Sequence, residues 1–225
     1  ADVSDYLVRN FPEQTNHRLR YADVLQRLGK PDRAAGVLEA GPFNDEHHQA
    51  TLHYYRGEYD RAAEIWSRLA ERPEDFVSRT NLAAVSTARG DTTAAIRWHR
   101  EALGLNPDDI ATLEALGELL LTTGAPTEAA DICVYGLDID STNVTFYLNL
   151  GIARVRLGDT DGAVQVWKAG IAVAPDSPRL HNNLATAYAI LGQYDLALET
   201  LRAAVQAHPD VLYLRERLSA LERRR

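Results

Sequence analysis

The sequence contains no methionine, a single cysteine and no excess of positive charge. One thiol, Cys133, cannot build an internal disulfide framework. The 24 Lys and Arg against 32 Asp and Glu leave a formal charge of −8. That balance gives no general attraction to a phosphate backbone, so no nucleic-acid partner is expected. No apolar run approaches the roughly 18 residues of a membrane span, so no membrane insertion is expected. No strand is predicted, and hence no glycine-rich phosphate loop following one. What remains is 225 residues with 45% hydrophobic content, enough for a folded chain of one or two ordinary domains.

What the chain does have is repetition. The stretch from Pro178 to Pro209 reads as a helix, a tight turn at Gly192, a second helix and a proline stop. Related segments precede it, with turn glycines at Gly29, Gly57, Gly90, Gly124, Gly158 and Gly192. The last four stand 34 residues apart, and the earlier steps are 28 and 33. Glycine closes a helix in the left-handed conformation at no Cβ cost. Three residues later come Asp32, Asp60, Thr93, Thr127, Asp161 and Asp195, each a candidate N-cap for the next helix.

Two columns are small. Seven residues before the glycines lie Ala22, Ala50, Ala83, Gly117, Gly151 and Ala185. Five after them lie Ala34, Ala62, Ala95, Ala129, Ala163 and Ala197. Small residues at matched places on antiparallel helices let the backbones approach closely. Leu82, Leu116, Leu150 and Leu184 on the first helices, and Leu38, Trp66, Trp167 and Leu201 on the second, fill the space around them. Pro73, Pro107, Pro175 and Pro209 end four of the units, with Ser141 in the gap.

These columns resemble the tetratricopeptide repeat, a 34-residue helix–turn–helix patterned W-x2-L-G-x2-Y, A-x3-F and a closing Pro. The unit 178–211 matches at Leu184, Ala185, Tyr188, Ala197, Leu201 and Pro209. The unit 144–177 matches at Tyr147, Leu150, Gly151, Ala163, Trp167 and Pro175. A family of 35-residue RNA-binding repeats is disfavoured by the period and the acidic balance. The resemblance implies an all-α fold, a right-handed superhelical solenoid of antiparallel helix pairs. It divides a single array, 1–225, into repeats 15–41, 43–75, 76–109, 110–143, 144–177 and 178–211. Residues 1–12 are then a partial unit or an N-terminal cap helix, and 212–225 a C-terminal cap helix. Pro12 stands at a closing-proline position and 3–11 read as the second helix of an earlier unit, which suggests excision from a longer protein or a lone helix capping the array, and maturation after export would also leave Ala1 at the start. The cytoplasm is the favoured compartment, with export to a periplasm left open.

Catalytic chemistry finds little support. His47, His48 and His53 are the densest set of bases, but no two stand four apart as in zinc-binding helices. Packing or groove lining explains them better, and neither a metal nor a cofactor is expected. Glu114 and Glu118 share a helical face without a pocket, the usual mark of a solvated face. No enzyme is expected.

Binding suits the architecture. The resemblance implies a concave groove lined by first helices, at positions thirteen, ten, six and three before each turn glycine. These are Asn16, Asp23 and Gln26, then Asn44, His47, Thr51 and Tyr54, then Thr80 and Thr87. Further along they are Glu114, Glu118 and Thr145, and finally Arg179, Asn182 and Thr186. Tyr55 and Arg156 stand two before their glycines. Nine before lie Asn81, Asn149 and Asn183, interrupted by Ala115. Asparagine both donates and accepts, so such a ladder can pair with an extended peptide backbone, and Arg156, Arg179 and Asn182 can hold a carboxylate. The clamp for chaperone C-termini needs Lys or Asn where Glu114 and Glu118 stand, so a heat-shock-chaperone adaptor is not expected.

The expected partner-binding residues are therefore Tyr54, Tyr55, Asn81, Glu114, Glu118, Asn149, Arg156, Arg179, Asn182 and Asn183. The expected function is a non-enzymatic scaffold that grips a peptide or helix of a protein partner. Two alternatives stay open. One is a regulatory or substrate-recruiting domain of a larger enzyme or envelope-assembly machine. The other is an oligomer built through the end helices.

Overall fold

A computed structural model describes residues 15–39 and 45–223, with the side chains of 15–17, 23 and 27 left outside. The expected early unit at 1–12, the groove candidate Asn44, and the side chains of Asn16 and Asp23 thus lie outside the described residues. The described residues form thirteen α-helices and no strand, as the resemblance implied. The chain divides between Leu105 and Asn106 into two compact units.

The first unit pairs α1 (Thr15–Arg27) with α2 (Pro31–Glu39), α3 (Glu46–Tyr55) with α4 (Tyr59–Leu69), and α5 (Phe76–Ala88) with α6 (Thr92–Leu105). The second pairs α7 (Ile110–Thr122) with α8 (Pro126–Ile139), α9 (Val144–Arg156) with α10 (Thr160–Val173), and α11 (Pro178–Ile190) with α12 (Tyr194–Ala207). Helix α13 (Leu212–Glu222) closes it, packed on α12.

Each pair is made by one kind of turn. All six turn glycines have φ between 68° and 82°, a region closed to most side chains. The N–H of the following residue reaches back five residues, as in Asp91 to Ser86 O at 2.9 Å and Gln193 to Tyr188 O at 2.8 Å. The carbonyl of that same residue accepts the first bond of the next helix, as in Ala95 to Asp91 O at 3.0 Å and Ala163 to Asp159 O at 3.1 Å. The N-cap is therefore the residue directly after the glycine, two positions earlier than Asp32, Asp60 and their counterparts. Asp91 and Asp159 also cap through their carboxylates, which accept from Ala94 N at 3.0 Å and Gly162 N at 2.9 Å. The bond from Gly162 and the nearby Arg154 hold the Asp159 carboxyl below its usual range. Asp32, Asp60, Asp161 and Asp195 lie inside the first turn, where a negative charge meets the positive helix end.

Packing follows from the small columns. All six alanines that follow the glycines are fully buried, as are Ala22, Ala50 and Ala83. In the second unit a Cβ on Gly151 would overlap the Trp167 indole, and one on Gly136 would overlap the Phe146 ring. The first unit holds two clusters, one around Tyr21, Leu25, Leu38 and Tyr55, the other around Trp66, Leu69, Leu82 and Val85. Tyr54 packs against both. In the second unit one cluster runs from Leu148 and Trp167 through Leu184 and Leu201 to Leu214 of α13. Leu214 is fully buried and Leu212 is exposed, so the cap helix covers the core with one face.

Gly151→Ala should lower stability to urea unfolding by about 1–3 kcal/mol, because the indole cannot retreat from a well-packed core. Gly36→Ala, where a Cβ meets open space in mid-helix, should raise it by about 0.5–1 kcal/mol. Equal effects at the two sites would contradict the close approach at Gly151.

Candidate partner-binding surface

In the first unit, the first helices of all three pairs converge on a pocket of about 630 Å³. Helix α1 contributes Leu19, α3 contributes His47, His48, Thr51, Tyr54 and Tyr55, and α5 contributes Val77, Asn81 and Ala84. Trp66 of α4 and Asp45, the N-cap of α3, complete it. The Tyr54 ring centre lies 5.4 Å from that of Tyr55 and 6.2 Å from that of Trp66. Among the lining side chains Asp45 is an acid, and none is a lysine or arginine. His47 Nε2 faces Asp75 Oδ2 at 3.4 Å. Its Nδ1 is buried without a hydrogen-bond partner, as is the Nε1 of Trp66.

The second unit has a pocket of about 390 Å³ between α11, α12 and α13. Asn182, Thr186, Ala189 and Ile190 come from α11, Tyr194 and Leu201 from α12, and Arg217, Ala220 and Leu221 from α13. The side-chain amide oxygen of Asn182, Oδ1, is buried and unbonded. In both pockets the residues ten, six and three before the turn glycine stand in the wall: His47, Thr51 and Tyr54 before Gly57, and Asn182, Thr186 and Ala189 before Gly192.

A helix–turn–helix of this spacing has a family. Models described as tetratricopeptide repeat match residues 16–40, 48–110 and 148–211, more than half of the chain. The chain belongs to the tetratricopeptide repeat family. Repeats of this family build scaffolds for protein–protein interaction, and proteins of this fold are generally not enzymes. Cellulose synthase 2 operon protein C of Komagataeibacter xylinus is 33% identical over 125 residues, 54% of this chain and 10% of that protein. The chain thus spans about a tenth of the length of that relative. Among solved structures, MamA aligns with a TM-score of 0.67 at 18% identity, over 74% of this chain and 96% of that one. YrrB, described as a TPR protein with an unusual peptide-binding site, aligns at 0.59 and 16% identity over 96% and 97%. A thermophilic TPR protein of Thermus thermophilus aligns at 0.57 and 22% identity over 78% and 96%. These likenesses concern the fold.

The groove candidates of this tetratricopeptide array differ in what they are free to do. Tyr54 and Asn81 are half-buried in the wall of the first pocket, and Tyr55 beside them is 5% exposed and belongs to the core. Glu114 is half-buried and accepts a bond of 2.8 Å from the Asn143 amide, while Glu118 is exposed. Asn149 is only 7% exposed, sunk where its column-mate Asn81 meets the pocket. Arg156 donates to the carbonyl of Leu121, so it caps the last turn of α7. Arg179 is exposed, and the Asn182 amide donates weakly to Asn183 Oδ1 at 3.4 Å. The second pocket therefore takes Asn182 from the expected basic end, and its cation is Arg217 of the cap helix. Trp66 and Arg217 escaped the sequence reading. The first occupies a core column, and the second reaches the site only through the packing of α13.

Among the described residues no three His, Cys, Asp or Glu side chains gather as for a metal ion, and no helix is long and apolar enough to cross a membrane. His53 Nδ1 meets Glu58 Oε2 at 2.6 Å, which holds the Glu58 carboxyl below its usual range. Burial alone pushes the Cys133 thiol from 9.0 up to about 12.

Arg156→Ala should cost about 1 kcal/mol in urea unfolding, the worth of a lost cap bond, whereas an arginine serving only a ligand would leave stability unchanged. Cys133 should resist a thiol reagent in the folded protein and react once urea unfolds it. Between its ordinary value and about 12 the folded chain keeps a proton that the unfolded chain has lost. Stability should therefore fall as the pH rises through that window, and Cys133→Ala should remove that part of the slope.

Proposed function

We propose that this chain is a non-enzymatic scaffold that holds a peptide or helix of a protein partner against the first helices of its repeats. One observation carries the reading. The same three repeat offsets wall a pocket in each unit, although the residues at those offsets differ. Shared architecture supplies the positions, and their side chains supply the specificity. Tyr54, Asn81, Glu118, Arg179, Asn182 and Asn183 are assigned to direct contact with the partner. Tyr55, Glu114, Asn149 and Arg156 are assigned to shaping the surface beneath it, since each is buried or already bonded within its unit.

The relationship to Cellulose synthase 2 operon protein C favours a second reading. In it the chain is a regulatory or substrate-recruiting domain of a larger enzyme or envelope-assembly machine. Native purification from the source cell separates the two. Glycan-synthase subunits travelling with the chain support the second, and their absence leaves the first alone.

The scaffold reading predicts the outcome of replacing Asn81, Arg179 and Asn182 together by alanine. Affinity for a captured and then purified partner should fall about tenfold or more by calorimetry, with the helical circular dichroism retained. An unchanged affinity would remove the groove assignment.

A further inference from the structure

The pocket of the second unit repeats that of the first with one change of charge. Arg217 stands 34 residues after Asn183, the step that also separates Asn183 from Asn149, so α13 carries the asparagine column one repeat further. In the first pocket the member of that column is Asn81, followed three residues later by Ala84. In the second it is Arg217, followed three residues later by Ala220. One repeat position is thus built twice, with a neutral amide in the first unit and a guanidinium in the second.

That guanidinium is available. Arg217 is exposed, and Glu222 further along α13 is already paired with Arg202 at 2.9 Å. No aspartate or glutamate lines the pocket, and Glu216, the neighbour of Arg217, stands outside the lining. Helix α11 carries no acid along its length, and its own cation, Arg179, is exposed one turn before Asn182. In a chain of net charge −8 this is a local cationic site. The cavity beside it is apolar, with Ala185, Ala189, Ile190, Tyr194 and Leu221 in its wall. Its volume of about 390 Å³ lies within the range of small-ligand sites, roughly 300–1,000 Å³. Ile190 and Tyr194 are 56% and 50% exposed, so the wall is open as it stands and gains by being covered.

An open apolar wall with one free cation at its edge complements an apolar side chain that has a carboxylate next to it. We propose that this pocket takes an aliphatic–acidic step of the partner peptide, a leucine-like side chain against Ala189, Ile190 and Leu221 and the side-chain carboxylate of an adjoining aspartate or glutamate on Arg217. The small side chains of Ala185, Ala189 and Ala220 leave the room that a branched side chain fills. An arginine donates to a carboxylate through charge-assisted bonds, the strong class. Because Arg217 is exposed, that pair sets a preference among segments, and the covered apolar wall supplies most of the affinity. Other occupants fit worse. A basic side chain is repelled by Arg217 and by Arg179. A wholly apolar segment leaves Arg217 unused. A chain end needs only one cation, whereas a segment running along α11 meets Arg179 as well. The inference rests on the reading of the first helices as the partner-binding surface.

The test uses the full chain labelled with nitrogen-15, at low salt, read through the backbone amide signals of Ala189 and Ala220. Short peptides blocked at both ends, with a central leucine–glutamate, leucine–glutamine or alanine–glutamate pair, are titrated to millimolar concentration. A leucine–glutamine peptide with a free terminal carboxylate and cellotetraose are titrated in parallel. The leucine–glutamate peptide should shift both signals and bind about three- to fivefold more tightly than the blocked leucine–glutamine peptide, the factor an exposed ion pair supplies. That gap should close in about 0.5 M salt, and the alanine–glutamate peptide should bind more weakly. Arg217→Gln should erase the preference for glutamate, and Ala189→Leu should fill the pocket and abolish the shifts. Where circular dichroism shows that Ala189→Leu has lost its fold, Arg217→Gln decides. Unmoved signals, equal affinity for the blocked glutamate and glutamine peptides, a preference that survives Arg217→Gln, or the same shifts from cellotetraose overturn the proposal. The free-ended peptide binding as tightly as the leucine–glutamate peptide would assign Arg217 to a chain end and overturn it too. A partner whose binding depends on Asn81, Arg179 and Asn182 but ignores Arg217→Gln would leave the scaffold standing and remove the acidic contact.

Discussion

The structure depends on one residue in each repeat serving two helices at once. The residue after every turn glycine closes the helix behind it with its N–H and opens the helix ahead with its carbonyl. No separate loop is needed, so the second helix turns back directly onto the first. The alanine whose N–H meets that carbonyl then lands in the contact between the pair, where it is fully buried six times over. A larger side chain there would force the helices apart and strain the turn. Glycine in the left-handed region and alanine five residues later are thus two halves of one constraint.

That constraint explains which features were legible in the sequence. The turn glycines and the small columns were readable, because a single mechanism repeats and leaves the same residue type each time. The N-caps were misplaced by two positions because Asp32, Asp60, Asp161 and Asp195 carry the chemistry of a cap. The residue that does the capping varies from Lys30 and Glu58 to Asp91, Ala125, Asp159 and Gln193. A backbone carbonyl leaves no trace in composition. The pocket walls follow three of the expected offsets, while which residues reach them was not legible. Asn81 and Asn149 share a column, yet one reaches a pocket and the other is 7% exposed, since burial depends on neighbours from other repeats.

Arginine illustrates the same limit. Arg156, read as a ligand residue, and Arg18, which carried no expectation, both complete helix ends in their own units. Arg18 donates to Val37 O at 2.8 Å in the last turn of α2, and Arg156 serves Leu121 at the end of α7. A guanidinium satisfies a stranded carbonyl as readily as it satisfies a ligand carboxylate, and sequence alone does not distinguish the two. By contrast, Arg217, on a helix expected only to cap the C-terminal end, stands at the edge of a pocket.

Tyr54 belongs to both hydrophobic clusters of the first unit while standing in the pocket wall between them. Any molecule that presses on it leans on two helix pairs together. In a solenoid whose repeats open one after another, such a side chain is a rivet between neighbours. Occupancy would then register as slowed amide exchange in both α1–α2 and α3–α4, and binding and breathing in that unit become a single equilibrium.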